Sequence, residues 1–156
     1  MRLEHVSAAY LLGLPTLPGI DYREAELLHD FLRAHRDVGV TYSVNVPVGP
    51  GDTSSTSIGA AVDRMWTAIT RRRIDLVVEG ARSAIIVEAK VHARMRAATQ
   101  VIRYAELYSR EHPRQVDIRP LIVCRSHVPG VEKVLQQYGG NLVVVCRVPA
   151  WEGVTR

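Results

Sequence analysis

The sequence predicts an α/β protein: a mixed β-sheet core flanked by helices, with a β-hairpin that carries its most conspicuous charges. Three observations lead there. Two apolar runs, residues 74–80 and 84–90, are joined by Gly80-Ala81-Arg82-Ser83 and read as an antiparallel hairpin. Apolar stripes at helical spacing recur over residues 22–32 and 93–111. Residues 121–148 form a strand–helix–strand unit, which normally gives a right-handed parallel crossover.

The 156 residues suit one domain, taken here as 1–156, and 47% hydrophobic content is enough for a packed core. Residues 1–20 contain Gly13, Pro15, Pro18 and Gly19 and predict a short N-terminal helix or arm followed by an irregular link. Asp21 is the expected N-cap of the first clear helix. Glu24 stands three residues on in a capping-box pattern, and Leu27, Leu28, Phe31 and Leu32 make the apolar stripe. Glu24 reads either as a helix-start acid favoured by the dipole or as a third carboxylate beside the hairpin. Gly39 is the expected end of this helix.

Residues 40–48 alternate in part and predict a strand ending near Pro47. Residues 49–57 are rich in Gly, Pro, Ser and Thr and predict a flexible loop. That loop lacks the Gly-Lys-Ser/Thr ending of a triphosphate-binding loop, which excludes that class of site. Residues 58–70 predict a helix capped by Ser57, with Ala61, Val62, Met65, Trp66 and Ile69 as its apolar face.

In the hairpin, Asp75, Glu88 and Lys90 interrupt apolar runs. Charges in such strands are expensive unless they are paired or bound to a metal. A two- or four-residue loop centred on Ala81 and Arg82 places Asp75 directly opposite Glu88, with Cβ atoms about 4.5–5.5 Å apart. Lys90, two residues on, shares that face. Two facing carboxylates repel unless a cation lies between them, and hard oxygen donors favour Mg²⁺ or Mn²⁺.

Arg71, Arg72 and Arg73 immediately precede this strand. Such a run is usually a solvated face, but its position beside the carboxylates favours holding phosphate. After Lys90, residues 93–111 predict a helix. Ala98, Val101, Ile102, Ala105 and Tyr108 form its buried stripe, Arg94 and Arg96 lie at its start, and Gln100 and Tyr104 share a face one turn apart. Residues 121–124 predict a buried strand, 129–138 a helix stopped by Gly139-Gly140, and 141–148 a last strand before the Trp151 tail. Cys124 and Cys146 end apolar runs and read as small core residues.

Two of the 20 basic residues, Lys90 and Lys133, are lysines, which leaves 18 arginines. A chain that otherwise uses Arg for positive charge places Lys beside the carboxylates, where a compact ammonium behaves differently from a guanidinium. The net charge of +4 and a pI near 9.4 favour a polyanionic partner. The N-terminal residues lack a secretory pattern, and no apolar stretch reaches membrane-spanning length. The expectation is a cytoplasmic protein with no membrane partner.

Taken together, the spacing Asp75–x12–Glu88-x-Lys90 after a helix bearing Glu24 resembles the PD-(D/E)XK nuclease superfamily. Within it, Glu24-Ala25-Glu26-Leu27-Leu28, Ile74-Asp75-Leu76-Val77 and Glu88-Ala89-Lys90-Val91 are similar to the motifs of archaeal-type Holliday junction resolvases. Gln100-x3-Tyr104 is similar to the Gln-x-x-x-Tyr motif of the RecB-type branch. Ile74 stands where the proline of the motif name would be, and residues 42–72 form a longer segment than the resolvases carry.

The resemblance implies a restriction-endonuclease-like fold and Mg²⁺-dependent hydrolysis of DNA phosphodiesters, with Mn²⁺ able to substitute. It implies Asp75, Glu88, the Ala89 carbonyl and Glu24 as metal ligands, with Lys90 and Gln100 completing the catalytic set. Arg71, Arg72, Arg73, Arg94, Arg96 and Tyr104 would contact DNA. The first expectation is a homodimeric resolvase of four-way junctions. The alternatives are a RecB-type exonuclease or repair nuclease and a noncatalytic DNA-binding module of the same fold.

Overall fold

A chain with apolar strands and one-sided helices must cover both faces of its sheet, and the observed architecture does so. The structure, a computed structural model, describes residues 1–36, 40–53 and 59–145. The elements in order are β1 (Leu3–Val6), α1 (Ala8–Leu12), α2 (Tyr22–Ala34), β2 (Thr41–Val48), α3 (Ala60–Thr70), β3 (Arg72–Glu79), β4 (Ser83–Ala93), α4 (Met95–Glu111), β5 (Asp117–His127), α5 (Val131–Gln137) and β6 (Asn141–Val144). The strands form one sheet in sequence order. β1 to β4 are antiparallel neighbours, and β4, β5 and β6 are parallel. The mixed sheet predicted from the hairpin and the strand–helix–strand unit is therefore the one found.

Helices cover both faces. On one, Leu27, Leu28, Phe31 and Leu32 of α2 and Leu11 of α1 pack against Tyr42, Val44, Leu76, Val87 and Val123. On the other, Val101, Tyr104, Ala105 and Tyr108 of α4, with Val131 and Leu135 of α5, pack against Ile74, Ile86, Ile122 and Cys124. Each fully buried aliphatic side chain contributes roughly 1.5–3 kcal/mol, so these stripes fix which side each helix takes. Cys124 is buried and free, and burial pushes its thiol up to about 11.

The hairpin register is the predicted one. Leu76 pairs with Val87, Val77 with Ile86, Val78 with Ile85 and Glu79 with Ala84. The ladder between β3 and β4 stops at Leu76–Val87. Beyond it β3 stays with β2 as far as Arg72, opposite Val48, while β4 stays with β5 as far as Ala93, opposite His127. The two strands part, and the next residues along them are Asp75 and Glu88.

Several expectations are corrected. The N-terminal arm begins with a strand, β1, added to the sheet edge, where the His5 amide donates to Ser43 Oγ and His5 Nδ1 lies 3.0 Å from Glu79 Oε2. Helix α2 ends at Ala34, before Gly39. Strand β4 runs through Ala93, so the following helix starts at Met95 rather than residue 93.

Helix α3 forms where predicted, but its apolar face is uncovered: Val62, Met65, Trp66 and Ile69 are all exposed. Polar bonds hold its C-terminal end instead, from Thr67 Oγ1 to the Asp52 carbonyl and from the Asp52 amide to Thr70 Oγ1. The described part of the 49–57 loop is tied down, because the Gly49 amide donates to Glu111 and its carbonyl accepts from Arg71. Gly39, Ser57, Cys146, the end of the last predicted strand and the Trp151 tail lie outside the described residues.

Candidate active site

The parting of β3 and β4 opens a notch that four elements furnish: Asp75 from β3, Glu88 and Lys90 from β4, Glu24 from α2 and Gln100 from α4. Asp21 caps α2 by accepting the Arg23 amide at 3.0 Å, but Glu24 does not complete the capping box. Its Oε1 instead accepts Lys90 Nζ at 3.0 Å. Lys90 Nζ is also 3.0 Å from Glu88 Oε1, so one ammonium joins the two acids. Asp75 Oδ2 accepts the Ala89 amide at 2.9 Å, a bond that closes the apex of the notch where strand pairing has ended.

Glu88 is 1% exposed. Its Oε1 also accepts Gln100 Nε2 at 2.7 Å, and the same amide donates to the Tyr104 hydroxyl at 3.0 Å. Glu88 Oε2 is buried without a hydrogen-bond partner among the described residues. An unpartnered buried acceptor costs about 1–3 kcal/mol and normally has a specific reason.

The protonation of the pair follows from this packing. Burial, then the neighbouring Asp75, pushes the Glu88 carboxyl up to about 8, against Lys90. Burial likewise pushes Asp75 up to about 6, opposed by the Ala89 amide and Lys90. Burial acts to lower the Lys90 ammonium, but Glu88 and Glu24 outweigh it and hold its pKa above the ordinary value. Burial and the nearby Glu88 raise the Tyr104 hydroxyl. Without a second cation, the acidic pair therefore holds a proton near neutrality.

Burial, like-charge repulsion and the orphaned Glu88 Oε2 fit a hard divalent cation between Asp75 and Glu88. Among the described residues no three His, Cys, Asp or Glu side chains converge as a ready-made cage. The fitting donor set is thus two carboxylates, completed by a carbonyl such as that of Ala89 and by water. Glu24, expected as a further ligand, is engaged by Lys90.

The predicted cations divide. Arg71 is tied to Glu111 at 2.8 Å and to the Gly49 carbonyl at 2.6 Å, and Arg73 reaches the Asn45 carbonyl at 3.3 Å. Arg72 and Arg96 are exposed and paired with no acid among the described residues. Lys90, His92, Arg94, Arg96, Ala97 and Gln100 line a cavity of about 330 Å³ at the start of α4. That helix end has no side-chain cap and no acid in its first turn, so its positive dipole end adds to these cations.

A second cavity, about 430 Å³, shares Arg96 and Gln100 with the first and is otherwise lined by Arg72, Thr99, Arg103 and Tyr104. A third cavity, about 610 Å³, lies between α4, α5 and the start of β5, and none of the acidic site residues lines it. Arg103 and His92 were not singled out from the sequence. The available signals were spacing: Arg96, Gln100 and Arg103 fall at i, i+4 and i+7 on α4, and His92 continues the alternation of Glu88 and Lys90.

The sequence matches no protein-family model and no curated protein. Among solved structures the chain is similar to EndoMS in its apo form (TM-score 0.49, 16% identity, covering 83% of this chain and 49% of that one). It is also similar to a repair endonuclease from Pyrococcus abyssi (0.48, 16%, 80% and 46%) and to EndoMS in a complex with double-stranded DNA (0.40, 16%, 65% and 40%). The chain spans half or less of the length of each of these three. No helix among the described residues is long and apolar enough to cross a membrane.

Proposed function

We propose that the chain is a divalent-metal-dependent nuclease that hydrolyses phosphodiester bonds of DNA. The observation that carries the reading is the Asp75–Glu88 pair, with Glu88 buried, one of its carboxylate oxygens orphaned and an ammonium adjoining, in a notch between parting strands. In this reading Asp75 and Glu88 hold Mg²⁺, or Mn²⁺ in its place. When bound, the ion supplies Lewis acidity toward a phosphoryl oxygen and lowers the pKa of water.

The chain's own residues supply the rest. Asp75, through its bond to the Ala89 amide, fixes the β4 backbone and the direction of the Ala89 carbonyl. Gln100 occupies Glu88 Oε1 and leaves Oε2 free for the cation. Lys90, held between Glu24 and Glu88, orients the attacking water or meets the negative charge that grows on the phosphate. The water gives up a proton to solvent as its oxygen bonds to phosphorus and one ester P–O bond breaks, and the leaving oxygen takes up a proton from solvent. Arg72, Arg94 and Arg96 hold flanking phosphates, which gives salt-dependent affinity with little sequence information.

The finer reading is a structure-selective endonuclease resolving four-way junctions as a homodimer, since a two-fold junction calls for two matched sites. A RecB-type exonuclease or repair nuclease is the second reading, favoured by Gln100 bridging Glu88 and Tyr104. The test incubates the protein with four-way junction, duplex and single-stranded DNA in Mg²⁺, Mn²⁺ or EDTA, beside Asp75→Asn and Glu88→Gln. Paired symmetric nicks in the junction support the first reading, and progressive loss from ends supports the second. Wild-type protein that binds DNA but cleaves none of the substrates, or undiminished cleavage by either variant, overturns the assignment.

A further inference from the structure

The cavity between β3 and α4 holds a constellation that the hydrolytic step does not use. Arg72, Arg96 and Arg103 bring three guanidinium groups to one cavity of about 430 Å³, and no carboxylate lines it. Arg103 is braced from outside by Glu106 at 2.6 Å. Arg72 also lines the smaller cavity at residues 48–52, again with Arg103, so these two cations sit where the spaces meet.

The second observation is the Tyr104 hydroxyl. Tyr104 is 7% exposed, and its oxygen accepts the Gln100 amide, so its own proton is left to donate. No acceptor for that proton is found among the described residues. Tyr104 lines this cavity, so its O–H is available to an acceptor that enters from outside the chain. Three cations and a free O–H donor around a space of this size match the oxygens of a phosphate group.

We propose that this cavity is a dedicated phosphate subsite, in which Arg72, Arg96 and Arg103 with the Tyr104 hydroxyl hold a nucleic-acid phosphate next to the one being cleaved. The proposal rests on the reading of the notch as a nucleic-acid hydrolase and adds to it a recognition element on one side of the reacting centre. Gln100 joins the two, since its amide touches both Glu88 and Tyr104. The phosphate comes either from an internal diester of a continuous strand or from the terminal monoester of a strand end. Both share the chemistry of the cavity.

The experiment measures DNA affinity in EDTA, so that binding is separated from cleavage, for wild type, Arg72→Gln/Arg103→Gln and Tyr104→Phe. Arg119→Gln, at an exposed arginine on β5 that lines neither cavity, controls for lost charge. The probes are closed circular duplex, linear duplex with a 5′-phosphate and the same duplex with a 5′-hydroxyl. The double arginine variant is expected to bind at least about tenfold more weakly, with its salt slope reduced by roughly one, the loss of one phosphate contact. Tyr104→Phe is expected to weaken binding about threefold, and Arg119→Gln less than twofold.

Loss on circular and linear DNA alike identifies an internal diester. Loss confined to the 5′-phosphorylated duplex identifies a terminal monoester. Affinity and salt slope within twofold of wild type on all three probes, or equal losses in Arg119→Gln and the double variant, overturn the subsite. If wild type binds through the cavity and cleaves nothing, the hydrolase reading fails and the subsite stands. If cleavage is intact and the double variant binds normally, the subsite alone fails.

Discussion

Replacing Glu88 by Gln should change how stability depends on pH, and the size of the effect follows from the notch. In the metal-free fold the Glu88 carboxyl is held at about 8, against an ordinary 4.5, by burial and by Asp75. A folded-state pKa above the unfolded one means that the folded chain holds the proton more tightly. The stability this contributes is fully present below about pH 4.5 and is lost as the pH rises through about 8. At roughly 1.4 kcal/mol per pH unit the loss is on the order of 5 kcal/mol, a large part of the 5–15 kcal/mol of an ordinary domain. Asp75, pushed up to about 6, adds a loss of the same sign at lower pH.

The assay is urea unfolding in EDTA from pH 5 to 9. The wild-type midpoint should fall across this range by roughly 2 M, for a slope near 2 kcal/mol per molar urea. Glu88→Gln keeps the shape and the bond to Gln100 but cannot ionise, so its midpoint should fall much less. Saturating Mg²⁺ or Mn²⁺ should flatten the wild-type curve by displacing the proton and should leave Glu88→Gln unchanged. Wild-type and Glu88→Gln midpoints that run parallel from pH 5 to 9 in EDTA would refute the reasoning, because the carboxylate would then ionise without penalty.

Three further outcomes are expected. Lys90→Ala should lower kcat on a cleavable DNA by roughly 10²–10³-fold with a small change in KM, and Lys90→Arg should not restore it, because a planar guanidinium replaces a compact ammonium between Glu24 and Glu88; steady-state kinetics decides this. Gln100→Leu strips a donor from both Glu88 and Tyr104 and should destabilise the fold by about 1–3 kcal/mol in denaturant titration at pH 7. Arg71→Ala, which removes the ion pair to Glu111 and the bond to the Gly49 carbonyl, should lower the unfolding midpoint while leaving DNA affinity within about twofold.

The hairpin was legible because its information is local. An even loop fixes the register, and the register puts Asp75 and Glu88 at the same level. Glu24 was half legible: helical spacing placed it at the edge of the packed face, but whether it would cap its own helix or meet Lys90 depends on a strand 66 residues away. The pairing of Arg71 was hidden for the same reason, since its partner Glu111 is 40 residues on and nothing near the arginine run indicates it. Strand β1 carries Glu4 and His5 with no alternating pattern, and it joins the sheet through long-range bonds such as His5 to Ser43. For α3 the periodicity was right, yet an apolar stripe states only that a face can be buried, not that this fold supplies the cover.

Three features of the notch are each unfavourable for a metal-free, ligand-free fold. Two carboxylates share one site: burial raises both their pKa values, and Asp75 raises that of Glu88 further. One of their oxygens is buried without a donor. The 17-residue helix α4 begins without a side-chain cap, its positive end beside Lys90, Arg94 and Arg96, where an acid would have been the stabilising choice. A divalent cation would relieve the first two, and a phosphate would relieve the third. Because α4 also carries Gln100, which holds Glu88 Oε1, the helix end and the carboxylates are joined by a direct hydrogen bond. An ion pair of metal and phosphate therefore suits the notch better than either alone. That predicts synergy: DNA should bind the protein more tightly in Ca²⁺ than in EDTA, and Glu88→Gln should remove the difference. Equal affinities for wild type in the two conditions would separate the acidic pair from the helix end and undo the argument.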